Sequence, residues 1–199
     1  MRVIAGTHRG RILKSLKVLA LRPTSDRLRE TLFNVLGPEL PGCRFLDLFA
    51  GTGAIGIEAL SRGAVGVVFV ENHPPAAALI RRNLESLGIR SRTTILAMDA
   101  LRGLEKLASS QKRRVPGFDF IFLDPPYAAA SAYARVLEFL SSVDLLASGG
   151  IVIAEHRRNF ELPEGAGTLR CYRVLKQGDA GLSFYRRAAT VTGEDSSAE

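Results

Sequence analysis

Cysteine is nearly absent from this chain: its 199 residues hold only Cys43 and Cys171. The two are far apart and lack the close spacing of metal ligands. That argues against a zinc site and fits reduced thiols in a cytoplasmic protein. No apolar run reaches the ~18 residues of a membrane span. The first residues, Met1-Arg2-Val3-Ile4-Ala5-Gly6, lack the apolar stretch of a signal peptide. Internal repeats and low-complexity linkers are missing as well. Hydrophobic residues are plentiful, at 46%, with a mean hydropathy of +0.09. A chain of this length and composition can bury a full core, so one domain is expected, with at most a small appendage.

The net charge is +7, and its distribution says more than its total. Residues 1–30 carry Arg2, Arg9, Arg11, Lys14, Lys17, Arg22, Arg27 and Arg29 against Asp26 and Glu30, a local +6. Clustered cations suit a polyanion, because each neutralised phosphate releases condensed counterions. A solvated basic face with no partner is the alternative.

Apolar β-branched runs alternate with helical patterns through the middle of the chain. Strands are predicted at Arg44–Leu48, Val65–Glu71, Thr93–Met98, Phe118–Asp124 and Ile151–His156. Helices are predicted at Gly53–Arg62, Pro75–Leu87, Leu101–Ala108 and Ser131–Leu140, the second capped by Asn72 and stopped by Gly88. Near-continuous apolar strands such as Phe118–Leu123 are what a parallel sheet covered on both faces requires. The alternation therefore predicts a doubly wound α/β domain. Two last strands, Leu169–Lys176 and Gly181–Arg187, form a terminal hairpin that places one antiparallel strand in the sheet. At the other end, Val3–Ala5 and Arg11–Leu13 flank a Gly6…Gly10 turn as a small hairpin. A helix capped by Thr24 or Ser25 follows, with Leu28, Leu32, Val35 and Leu36 on one face and Gly37-Pro38 ending it. The predicted division is a basic extension over 1–37, a catalytic domain over 38–188 and a disordered acidic tail over 189–199.

Phe45-Leu-Asp47-Leu-Phe49-Ala-Gly51-Thr-Gly53-Ala-Ile-Gly56 reads as a strand running into a glycine turn at a helix start. Glycines let backbone approach a ligand closely, and the free N–H groups favour anionic atoms. The spacing fits a dinucleotide fingerprint as well as an S-adenosylmethionine site, with Glu71 twenty residues past Gly51. Asp47 tilts the choice, since a carboxylate there repels pyrophosphate but suits the ammonium of a methionine moiety. Plainer roles stay open: Asp47 as an acceptor that stabilises the turn, Glu71 as a solvated strand end. Asp99 is either an acceptor for an adenine amino group or a helix cap.

Asp124-Pro125-Pro126-Tyr127, after the fourth strand, is the sharpest signal. An exocyclic amine on a base is a poor nucleophile because its lone pair is delocalised into the ring. Acceptors that hold both N–H bonds align that lone pair with a methyl donor. Asp124 and the Pro125 carbonyl supply two acceptors in one turn, and the prolines fix φ. Tyr127 supplies a ring for stacking an extruded base, worth ~1–3 kcal/mol at single-strand sites. A proline-rich loop closing a strand is the bland alternative.

Taken in order, Asp47…Gly51-Thr52-Gly53, Glu71, Asp99 and Asp124-Pro-Pro-Tyr127 resemble class I methyltransferases that modify amino groups of bases. Arg2-Val-Ile-Ala-Gly-Thr-His-Arg-Gly-Arg11 and Leu21-Arg-Pro-Thr-Ser-Asp-Arg-Leu-Arg-Glu-Thr-Leu-Phe-Asn34 narrow the likeness. With them the chain resembles the bacterial family that methylates N2 of a guanine in 16S ribosomal RNA, over residues 1–187. The resemblance implies a Rossmann-like fold whose seven-stranded, mainly parallel sheet has the order 3-2-1-4-5-7-6, with strand 7 antiparallel. It implies S-adenosylmethionine held by Asp47, Phe49, Gly51, Thr52, Gly53, Glu71, Asn72, Asp99 and Ala100. The base would sit at Asp124, Pro125, Pro126 and Tyr127, and the RNA on Arg2, Arg9, Arg11, Lys14, Arg22 and Arg27. It further implies action on a small-subunit assembly intermediate; the protein is expected to be a cytoplasmic monomer. Transfer would be direct, with no metal or covalent intermediate. Glu71-Asn72-His73-Pro74-Pro75 and the arginine-rich loop Gln111–Pro116 depart from the expected pattern and bear on RNA contacts rather than chemistry.

Three other readings stand beside it. Asp-Pro-Pro-Tyr suits adenine N6 on DNA or RNA equally well; the glycine motif alone admits a nicotinamide-dependent oxidoreductase; and an inactive RNA-binding assembly factor would share the basic segment. Whether Asp124 also takes the proton is not set by the sequence, since a carboxylate near its ordinary pKa is a weak base for this step.

Overall fold

The structure, a computed structural model, describes residues 1–15, 25–111, 116–126 and 131–188. Lys17, Arg22, Thr24, Tyr127, most of the arginine-rich loop and the acidic tail lie outside the described residues. The chain forms helix α1 (Asp26–Leu36), strand β1 (Arg44–Leu48), α2 (Ala54–Ser61), β2 (Gly66–Val70), α3 (Pro74–Ser86), β3 (Thr93–Leu96) and α4 (Ala100–Gln111). Then come β4 (Phe118–Leu123), α5 (Ser131–Ser142), β5 (Leu146–Arg157), β6 (Gly165–Ala166), β7 (Leu169–Gln177) and β8 (Ala180–Arg187).

The sheet order is β3-β2-β1-β4-β5-β8-β7-β6. Strands β1 to β5 are parallel, and β8 runs antiparallel to β5. The last two predicted strands are β7 and β8, so the order expected from the resemblance is present. The correction is an eighth strand: Gly165–Ala166 pairs with Leu169 and Arg170 at the edge. Two residues folded back by a positive-φ glycine, Gly167, carry no periodicity to read. One core cluster on one side of the sheet unites α1, α2 and α3 residues with Phe45, Phe120 and Phe184; the other gathers α4 and α5 against Leu46, Ile121 and Val152.

Ser25 caps α1, its hydroxyl accepting from the Leu28 amide at 3.1 Å. The cap expected for α3 is displaced. The residue preceding that helix is His73, no side chain caps it, and Pro74 and Pro75 fill its first positions. Asn72 is exposed; the His73 amide bonds the Glu71 carboxylate at 2.8 Å instead. Prolines lack the N–H that a cap would satisfy, which removes the need for one.

The N-terminal hairpin shrinks to one antiparallel bridge, Arg2 with Ile12. The Gly10 amide still donates to the Val3 carbonyl at 2.8 Å, but further donors are spent outside the hairpin. The amides of Ile4 and Ala5 donate to the buried Glu58 carboxylate at 2.7 and 3.0 Å, and the Thr7 amide to the Ser61 carbonyl at 2.8 Å. Gly6 has φ +80°, and a Cβ there would lie 1.8 Å from the Ser61 carbonyl oxygen. Val3 and Leu13 join the core of α2 and α3, and every residue of α2 is buried. The basic segment thus covers the helix that opens from the glycine turn.

Candidate active site

The sheet register brings the motif residues together. Leu48 of β1 aligns with Leu123 of β4, which aligns with Ala154 of β5. The residues that follow, Phe49, Asp124 and Glu155, therefore come side by side at the carboxyl edge, where open α/β sheets bind ligands.

Asp47 is 2% exposed. Its Oδ2 accepts from the Gly56 amide at 2.9 Å, tying the strand to the helix across the turn. Within that turn Phe49, Gly51 and Gly53 have φ of 61°, 53° and 77°. For phenylalanine this is costly backbone, of the kind that concentrates at ligand sites. Gly56 has a different role: a Cβ there would lie 2.3 Å from the Phe69 ring, so glycine is what lets α2 lie on β2. Glu71 Oε2 accepts from the Gly51 amide at 2.7 Å and Oε1 from the His73 amide. Each oxygen keeps a second lone pair, so the carboxylate is oriented and still able to accept hydroxyl donors. Asp99 is exposed and caps α4, Oδ1 accepting from the Leu101 amide at 2.9 Å, with Ala100 buried beside it.

Asp124 is partly buried, Pro125 is buried and Pro126 is exposed. Burial pushes the Asp124 carboxyl well above the usual carboxylate range, and the negative charges of Glu155 and Asp47 add to the effect. Asp47 is pushed up to about 7 by burial, with Glu71 contributing against the bond from Gly56. The charges acting on both groups share one sign.

Glu155 and Asn83 were not singled out from the sequence. Glu155 interrupts the apolar run Ile151–Ala154 with a carboxylate. Asn83 sits among Ala76, Ile80 and Leu84 on the buried stripe of α3. A polar residue in an apolar stripe was the available signal. Its Oδ1 accepts from the Lys14 amide at 2.9 Å, and its Nδ2 donates to the carbonyls of Lys14 and Thr52 at 3.2 and 3.0 Å. One buried amide thereby joins the basic segment to the glycine turn. In Asn83→Ala, hydrogen exchange should quicken about tenfold or more at the Lys14 amide, which loses its acceptor, and at Gly53 inside the turn. Faster exchange at Lys14 alone would show that the Thr52 bond carries no weight.

A family profile described as Conserved hypothetical protein 95 matches residues 1–186. YlbH of Bacillus subtilis, which bears a provisional rRNA-methyltransferase name, is 40% identical over 187 residues, 94% of this chain and 99% of its own. Ribosomal RNA small subunit methyltransferase D of Haemophilus influenzae is 35% identical over 189 residues, 94% of this chain and 92% of its own. Among solved structures, yhhF of Escherichia coli, provisionally titled a methyltransferase, matches with a TM-score of 0.78 at 28% identity, covering 96% of this chain and 99% of its own.

Proposed function

The chain belongs to the family described as Conserved hypothetical protein 95, and from that premise we propose that it methylates the exocyclic N2 amine of a guanine in 16S ribosomal RNA, using S-adenosylmethionine. The observation that carries the choice of cofactor is the set of carboxylates gathered around the glycine turn, Asp47 bonded by the Gly56 amide and Glu71 by the Gly51 amide, with Asp124 at the end of the neighbouring strand. Asp47 and Asp124 are held above the usual carboxylate range by burial and by like charges. Such a site gains from a cationic ligand and penalises an anionic one. S-adenosylmethionine is cationic at its ammonium and sulfonium, whereas the pyrophosphate of a nicotinamide dinucleotide would meet the same carboxylates. Asp47 would face the methionine moiety, Glu71 the ribose hydroxyls, and Phe49, Gly51, Thr52 and Gly53 the turn around them. Asp99 and Ala100 would border the adenine, and Asn72 the ribose end. Equilibrium binding of S-adenosylhomocysteine against NAD tests the choice; tighter NAD binding would overturn it.

When bound, S-adenosylmethionine supplies an electrophilic methyl group. The chain's part is to align the nucleophile. Asp124 accepts one N–H of the amine and the Pro125 carbonyl the other, while Pro126 holds the turn and Tyr127 stacks on the flipped base. As the methyl group leaves sulfur for the amine nitrogen, releasing S-adenosylhomocysteine, one amine proton would pass to Asp124. Its raised pKa makes it a stronger base than an ordinary carboxylate.

The rRNA substrate rests on the names of the relatives and on the basic segment. Arg2, Arg9, Arg11, Lys14 and Arg27 are exposed, while Arg29 is withdrawn: it is buried and donates to the Arg2 carbonyl and to Asp26. If about five of these cations meet phosphates, log K should fall with log salt at a slope of about −3.5 to −4.5. Replacing Arg9, Arg11 and Lys14 by Ala should flatten the slope by about 2–3 and leave S-adenosylhomocysteine affinity unchanged. An unchanged slope would leave a solvated face as the better description.

A further inference from the structure

We propose that the β7–β8 hairpin carries a second RNA surface, an arginine–aromatic platform of Tyr172, Arg173 and Arg186 that takes a single-stranded stretch away from the methylated base. The two strands hold Arg170, Arg173, Lys176, Arg186 and Arg187 and no carboxylate. These cations are not equivalent. Arg187 donates to the Val143 carbonyl and pairs with Asp144, and Arg170 bonds the carbonyls of Gly167 and Leu169. Arg173 and Arg186 are held by rings instead. The Arg186 guanidinium lies 4.8 Å from the Tyr172 centroid and that of Arg173 5.9 Å from Phe184. Tyr172 lies 6.3 Å from Phe184 and is 46% exposed.

Stacking on a ring orients a guanidinium without neutralising it. Planar cations set beside an exposed tyrosine offer bases a stacking plane and phosphates a counter-charge, the combination that single-stranded RNA uses. The platform lies toward the amino end of β5, since Phe184 pairs with Ile153 and Tyr185 with Val152, so it would meet RNA flanking the base rather than the base itself. Phe184 and Leu182 belong to the core cluster that also holds Val3 and Leu13 of the basic segment, so both cationic surfaces stand on one face of the sheet. The plainer account is that cations on strands near a sheet edge deter edge-to-edge association. It explains the charge but not the placing of two guanidinium groups on rings.

The inference rests on the rRNA reading, and the experiment separates the two. Wild type, R173A/R186A, R173K/R186K and Y172A are titrated with salt against small-subunit particles from cells lacking the protein, with S-adenosylhomocysteine binding and melting temperature measured in parallel. In R173A/R186A, affinity at low salt should fall about tenfold or more and the slope should flatten by about 1.4–1.8, two phosphate contacts' worth. R173K/R186K should keep the slope and still bind less tightly, because lysine preserves charge but not the stacked plane. Y172A should lose affinity with the slope unchanged. Wild-type affinity and slope in R173A/R186A, with aggregation as the only change, would overturn the platform and favour edge protection. Failure of the wild-type protein to bind the particles would overturn the rRNA reading itself.

Discussion

Asp124→Ala is expected to keep cofactor and RNA binding while single-turnover methyl transfer falls by about 10²–10³-fold, the loss typical of one acceptor or donor that acts mainly in the transition state. The carboxylate stands where β4 leaves the sheet, between Phe49 and Glu155, and the turn after it is stiffened by two prolines. Its removal leaves the Pro125 carbonyl to hold the amine by one N–H, so the lone pair is no longer fixed toward the donor. Asp124→Asn divides the role: an amide oxygen can still accept, but it takes no proton at neutral pH. A rate in Asp124→Asn near wild type would retain alignment and remove proton uptake. A rate above a tenth of wild type in Asp124→Ala would remove Asp124 from the chemistry. The pH profile carries an independent sign. Burial and the charges of Glu155 and Asp47 raise the Asp124 carboxyl, so transfer should increase with pH through an apparent pKa above the ordinary carboxylate range. Glu155→Gln removes one of the raising charges and should move that limb to lower pH.

Asp47→Asn is expected to stabilise the protein while weakening its cofactor binding. Asp47 is buried and pushed up from 3.8 to about 7. An acid whose folded pKa lies above its unfolded one is a cost to folding. That cost is absent below the unfolded value, grows as pH rises toward about 7, and is complete above it. Asparagine avoids it, and its carbonyl can still accept from the Gly56 amide. The new NH₂ donors offset part of the gain, so about 1–2 kcal/mol is expected at pH 8, or roughly 2–8 °C in melting temperature. At pH 5 the gain should be smaller, because fewer wild-type molecules carry the buried charge. S-adenosylhomocysteine affinity should fall about ten- to hundredfold for want of the carboxylate. Thermal melts at the two pH values and calorimetric titration check both halves. A melting temperature that falls at pH 8 would show that Asp47 is a structural brace first.

The parallel core was legible because its strands are apolar on both faces. Phe118–Leu123 reads as such a strand, and α2 and α3 begin and end at glycines and prolines. The glycine turn, Asp47 and the Asp-Pro-Pro loop stood out because their spacing is local. What escaped the reading depends on contacts between distant segments. Glu58 and Ser61 look like ordinary helix residues until the N-terminal backbone spends its amides on them, which is also why the expected hairpin reduces to one bridge. Asn83 joins residues 31 and 69 positions away. Glu155 gains its meaning only from the β4–β5 register beside Asp124. The charge count in the first thirty residues was similarly incomplete, because it includes Arg29, which is buried.

The most direct measurement gives the purified protein labelled S-adenosylmethionine and small-subunit particles from cells lacking it, then identifies the labelled nucleoside. The account predicts one methyl group per particle, recovered as N2-methylguanosine from a single 16S position and lost with Asp124→Ala. Label recovered at adenine N6, preferential labelling of competing DNA, or no transfer despite cofactor binding would contradict it.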